Sequence, residues 1–159
     1  MTSKLFAACT IAFGLLAFGA SAQTPEETLL TVTHGDTVTT YDQAGLEALG
    51  TTTIETTTIW TEGKQTFTGV PLAALVEAQG ATDGIMLASA INDYTVEIPL
   101  SDAVANGPIV AFLNNGEPMS VRDKGPLWIV YPYDANPDYQ SEVTYTRSIW
   151  QLDRIEIKD

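Results

Sequence analysis

The stretch Ser120-Val121-Arg122-Asp123-Lys124-Gly125-Pro126-Leu127-Trp128-Ile129-Val130-Tyr131-Pro132-Tyr133-Asp134 decides how this chain is read. It opens with charge at Arg122, Asp123 and Lys124. It turns at Gly125-Pro126 and becomes an apolar run from Leu127 to Tyr131. Such a run, with β-branched and aromatic members, predicts a buried strand. Pro132 ends it, because proline has no N–H to give a strand ladder. Tyr133 and Asp134 follow at the exit. Turns beside a rigid strand are where binding groups collect.

Working outward, Ile109 to Leu113 reads as a second buried strand, joined to this stretch by the tight turn Asn114-Asn115-Gly116-Glu117-Pro118. Ile85 to Ala90 and Tyr94 to Ile98 read as a hairpin turning at Asn92-Asp93. Thr28 to Val32 and Thr37 to Tyr41 read as another, across His34-Gly35-Asp36. Two helices are expected. Asp42 caps the first, with Leu46 and Leu49 on one side and Gly50 after it. The second opens at Pro71, buries Leu72, Leu75 and Val76, and stops at Gly80. Thr51 to Thr61, Thr144 to Ile149 and Leu152 to Ile157 read as strands, Ser101 to Ala105 as a short helical turn and Asn136 to Tyr139 as loop. The class is α+β: one mixed, β-sheet-rich domain with short helices.

Residues 1–22 read as a signal peptide. Lys4 is a positive start, Leu5 to Phe18 an apolar core, and Ala20-Ser21-Ala22 a cleavage signal. The domain is then 23–159, exported, with the periplasm as the expected place and no insertion into the membrane after cleavage. Cys9 is the chain's single cysteine and leaves with the leader. The remainder offers no disulfide and no thiolate nucleophile or metal ligand. His34 is the single histidine, so clustered imidazole sites are excluded as well. Beyond the leader, six cations face twenty acids. Such a surface repels nucleic acid and keeps an exported protein soluble.

The order of short motifs resembles the molybdopterin-binding domain of the sulfite oxidase family. The resemblance rests on Phe67-x-Gly69-Val70-Pro71-Leu72-x-x-Leu75 and on Asp93-Tyr94 leading to Val96-Glu97-Ile98-Pro99. It continues through Ile109-Val110-Ala111 with Asn115-Gly116, Gly125-Pro126-Leu127, and Trp150 with Arg154-Ile155-Glu156-Ile157. It spans Leu29 to Ile157 and implies that family's fold. Catalytic members hold molybdenum through a cysteine where this chain has Thr56-Thr57-Thr58-Ile59-Trp60-Thr61. Hydroxyls are poor substitutes for a thiolate on such a metal. The chain is closer to a small exported branch carrying Arg-Asp-Lys-Gly-Pro-Leu-Trp-x-x-Tyr-Pro and Trp-Gln-Leu, matched at Arg122 to Pro132 and Trp150 to Leu152. That branch binds a pterin without metal and biases the periplasmic domain of a membrane-bound cyclic-di-GMP synthase/phosphodiesterase.

The resemblance therefore implies a non-catalytic regulator that binds a reduced pterin, with no molybdenum. The alternatives are a molybdenum-cofactor-dependent oxidoreductase of the same family and a ligandless docking scaffold. A pterin site needs an aromatic face for stacking and polar groups for the ring's edge. The candidates are Trp60, Asn92, Tyr94, Arg122, Asp123, Lys124, Tyr131, Tyr133, Asp134, Arg147, Ser148 and Trp150. Each has a plainer reading. Trp128, inside the apolar run, reads as core. Trp150 reads equally as core or open face, Arg122-Asp123-Lys124 as a solvated turn, and Asn92-Asp93 as an Asx turn.

Overall fold

Alternation at Leu30–His34 buries Leu30 and Val32 and makes the first strand, β1. Gly35, at φ 57°, turns the chain into its antiparallel partner β2, Thr37–Tyr41. Asp42 then caps helix α1, Gln43–Ala48, its carboxylate accepting the Gly45 N–H at 2.7 Å. Strands β3 (Thr52–Thr57) and β4 (Lys64–Pro71) follow, and β4 runs directly into α2, Leu72–Ala78. The hairpin β5 (Ile85–Ala90) and β6 (Thr95–Pro99) forms where the sequence predicts it. Strand β7 (Ile109–Asn114), the two-residue β8 (Glu117–Pro118) and β9 (Trp128–Val130) precede α3 (Glu142–Arg147) and β10 (Leu152–Lys158). This is a computed structural model, and it describes residues 27–159. The expected leader, residues 1–22, lies outside them. Among the described residues no helix is long and apolar enough to cross a membrane.

The strands form two five-stranded sheets. One has the order β2-β1-β10-β5-β6, with β1 parallel to β10 and Thr31 opposite Arg154. The other runs β3-β4-β7-β8, with β9 pairing β7 antiparallel. Strand β9 sits where the apolar run predicts, and Leu127 to Tyr131 are at most 1% exposed. Burying each such side chain contributes about 1.5–3 kcal/mol before the entropy of ordering is deducted. Gly69 marks a register shift between β4 and β7. A Cβ there would lie 2.1 Å from the Val110 carbonyl oxygen, so only glycine lets the strands approach.

The segment Ile149 to Leu152 joins the two sheets. Ile129 N–H donates to the Ile149 carbonyl at 2.9 Å, and Leu152 N–H donates to the Leu127 carbonyl at 3.0 Å. Trp128 and Trp150 are bridge partners between these hydrogen bonds. The strand of the opening stretch is thereby fixed against the residues that lead into β10.

Two sequence expectations fail here. Thr144 to Ile149 does not form a strand; Glu142–Arg147 is helix α3. Ser141 accepts the Thr144 N–H at 3.3 Å, and that cap outweighs the strand preference of Val143, Thr144 and Tyr145. The strand expected over Thr51 to Thr61 stops at Thr57, and residues 59–63 form a turn and bends containing Gly63 at φ 68°.

Candidate functional site

Trp60, on the turn after β3, is the hub of an aromatic cluster. Its ring centroid lies 5.5 Å from Trp150, 5.7 Å from Tyr145, 5.8 Å from Trp128 and 6.4 Å from Tyr133. All four meet it edge to face, at 66–83°. Such pairs contribute about 0.5–1.5 kcal/mol each beyond burial. Behind them Phe67 packs on Trp128 at 5.2 Å.

A cavity of about 260 Å³ opens beside this cluster. Trp60, Tyr94, Tyr145 and Trp150 supply aromatic walls, and Ala90 and Ile149 supply aliphatic ones. Asn92, Thr146, Ser148 and Gln151 are its polar lining, and no charged side chain reaches it. That volume falls just below the roughly 300–1,000 Å³ of drug-sized sites and suits a single flat bicycle. Of the three indoles, only Trp128 uses its N–H, donating to the Ser148 carbonyl at 3.1 Å. Those of Trp60 and Trp150 remain available among the described residues. Gln151 spends its amide N–H₂ on the Val121 carbonyl at 2.8 Å, which leaves its amide oxygen as an acceptor.

The structure brings Trp60, Asn92, Tyr94, Ser148 and Trp150 together at this cavity. The Ser148 hydroxyl is already committed, accepting from Tyr133 Oη at 2.6 Å and donating to the Thr144 carbonyl at 2.8 Å. It is therefore wall rather than recognition group. Tyr133 is buried behind the wall, and burial pushes its phenol up to about 12. Tyr131 is buried too. Its Oη donates to Asp102 at 2.8 Å, and the same carboxylate oxygen accepts from Arg147 at 2.9 Å. Burial, then the Asp102 hydrogen bond, raises the Tyr131 phenol. Both phenols stay protonated in any physiological range.

The remaining candidates stand outside the cavity lining. Asp134 accepts from Thr57, from its hydroxyl at 2.6 Å and its N–H at 2.9 Å, and these bonds lower its carboxyl. Its own N–H donates to the Thr56 hydroxyl at 3.1 Å, so it ties the strand exit to the end of β3. Arg122 and Asp123 lie on an exposed 3-10 turn, where Asp123 accepts from the Ser120 hydroxyl at 2.6 Å. Lys124 lies over the rings of Trp128 and Trp150.

Tyr145, Thr146, Ile149 and Gln151 line the cavity but were absent from the expected set. A strand reading of Thr144 to Ile149 hides them. Ser141 followed by Glu142 is the helix-start signal that reveals them, since it places Tyr145 and Ser148 three residues apart on a helical turn.

Residues 28–135 match the family described as the oxidoreductase molybdopterin binding domain, and the chain belongs to that family. Its fold is similar to that of the sulfane dehydrogenase SoxCD from Paracoccus pantotrophus. The TM-score is 0.61 and the identity 19%, over 89% of this chain and 40% of that one. The chain thus spans less than half of the SoxCD chain. No curated protein matches it in sequence.

Family membership corrects two expectations. The missing cysteine led to a non-enzyme, and to a pterin without molybdenum. The family is one of oxidoreductase domains that bind molybdopterin, the molybdenum cofactor, and the chain is a domain of that type. The absent thiolate bears on one metal ligand; it does not remove the chain from the family.

The uncharged aromatic cavity fits the pterin ring. The described residues hold no group of three or more His, Cys, Asp or Glu side chains that could hold a metal. At the threonine run, the Thr57 hydroxyl donates to Asp134 at 2.6 Å and the Thr58 hydroxyl pairs with that of Thr61 at 2.8 Å.

Proposed function

We propose that the chain is a cofactor-holding domain of oxidoreductase type that seats a pterin ring against Trp60, Tyr145 and Trp150, in the cavity they line. One observation carries this reading: the cavity beside Trp60 has four aromatic walls and an uncharged lining with unspent donors and acceptors. Aromatic walls stack the bicycle. Asn92 and Gln151 hydrogen-bond its edge, and the free indole N–H groups add donors. The helix carrying Tyr145 and the turn carrying Trp60 exclude water from one side.

The test is to purify the protein from its native cells, denature it, and identify any released pterin by mass spectrometry and fluorescence. About one pterin per chain supports the reading. Molybdenum assayed on the same sample reports whether the ring carries its metal. Protein that releases no pterin, and takes up none in titration, overturns the reading.

A second reading is a periplasmic regulatory role after export, in which the occupied domain is read by the periplasmic domain of a membrane-bound cyclic-di-GMP enzyme. The exposed rim favours it. Tyr94 is 55% exposed and Trp150 37%, and Ile59 stands out on the neighbouring turn. A partner docked there would sense whether the cavity is filled. Adding the ligand-loaded protein to that enzyme should change its cyclic-di-GMP output. No change in output, with binding intact, removes this role and leaves the cofactor reading standing.

A further inference from the structure

Helix α3, Glu142–Arg147, has six residues, too few to hold a helix without tertiary contacts. Yet it carries Tyr145 and Thr146 to the cavity, and Ser148 follows at its end. The Tyr145 ring lies 5.7 Å from both Trp60 and Tyr133. A shift of α3 by a fraction of a turn would take Tyr145 off Trp60 and open that wall.

Two ties meet at the C-terminal end of α3. In one, Tyr133 Oη donates to Ser148 Oγ at 2.6 Å. The other is the carboxylate of Asp102, which ends a 3-10 turn, Leu100–Asp102, after β6. Its Oδ2 accepts from Tyr131 Oη at 2.8 Å and from Arg147 Nη1 at 2.9 Å. Tyr131, at the exit of β9, is only 1% exposed and belongs to the core. The Asp102 and Arg147 side chains are 18% and 27% exposed, so water competes poorly for the pair. Both bonds are charge-assisted, the stronger kind. The carboxylate thus joins the last residue of α3 to a fixed point in the core.

Neither Asp102 nor Arg147 lines the cavity. The Arg147 guanidinium is committed to the carboxylate, and its effect on a ligand passes through the helix that it ends.

We propose that Asp102 is a positioning residue for the ring site: through Arg147 it holds α3 so that Tyr145 stands against Trp60 before the ligand arrives. A wall set in place beforehand leaves less ordering to be done on binding. Without the carboxylate, Arg147 and Tyr131 lose their shared acceptor, α3 samples other positions, and binding must order it first. The inference rests on the pterin reading above.

The test is an anaerobic titration with tetrahydrobiopterin, followed by tryptophan fluorescence, in two backgrounds. Asp102→Ala and Arg147→Met are each made in wild type and in Tyr145→Ala, which keeps Trp60 and Trp150 for binding. In wild type each should lower affinity about fivefold or more. In Tyr145→Ala each should change it by less than about twofold, because the side chain they position is gone. Arg147→Lys, which keeps a cation for the carboxylate, should recover part of the loss. Circular dichroism checks that each variant folds, and Arg147→Met, at a partly exposed position, carries the test if Asp102→Ala does not fold. Equal losses in the two backgrounds would mean general structural damage and overturn the inference, while the pterin reading stands. Unchanged affinity in wild type would overturn it as well. If wild type binds no probe, the pterin reading falls and takes this inference with it.

Discussion

Trp60 is half-buried, yet four aromatic rings meet it. Trp60→Ala removes those contacts and one wall of the cavity together. It should cost about 2–3 kcal/mol in urea unfolding and lower pterin affinity at least tenfold. Unchanged affinity would place the ligand elsewhere. Asp134 gives a pH dependence. The Thr57 hydrogen bonds lower its folded carboxyl, so its contribution is complete above the unfolded value of about 3.9. It is lost as pH falls from there through the lowered folded value. Wild type should exceed Asp134→Asn in stability at pH 7, and the gap should begin to narrow below about pH 4. A gap that does not narrow at all as pH falls below about 4 would mean that Asp134 acts by shape and not by charge. At this scale the sequence showed residue types better than roles. Trp60, Tyr94 and Trp150 were legible as exposed-capable aromatics. That Tyr131 and Arg147 share the Asp102 oxygen was not, because residues 29 and 45 positions apart leave no local pattern.

At the scale of elements, β7, β9 and the β5–β6 hairpin were readable because apolar runs and turn residues are local signals. Helix α3 was not, because a threonine and tyrosine run carries strand preference that a single N-cap reverses. Ser141→Ala should therefore cost about 1 kcal/mol and weaken ligand binding, since α3 carries Tyr145 into the cavity. Melting temperature and a pterin titration on the same variant check both effects. Gly69 makes the complementary point. In the sequence it stood only as part of a family motif ahead of the second helix, yet it lies where β4 and β7 shift register against the Val110 carbonyl. Gly69→Ala should destabilise by about 3 kcal/mol in denaturant unfolding. A near-neutral result would mean that the strands can part without loss.

Across the whole molecule, two sheets are stitched by the segment from Ile149 to Leu152, and the cavity lies beside that seam. The parallel pairing of β1 with β10, near opposite ends of the described chain, has no local signature and was not legible beforehand. The family was legible, because its motifs keep their order along the chain, and the match over residues 28–135 bears that out. The conclusion drawn from the missing cysteine was the error. It took the absence of one ligand type as a statement about the activity of a whole family.

The central claim is that the cavity lined by Trp60, Tyr145 and Trp150 seats a pterin ring. A crystal structure of the protein grown with saturating tetrahydrobiopterin tests it most directly. The account predicts ring density against those three aromatics, with its polar edge toward Asn92 and Gln151. A ring bound anywhere else, or an empty cavity at saturation, would contradict it.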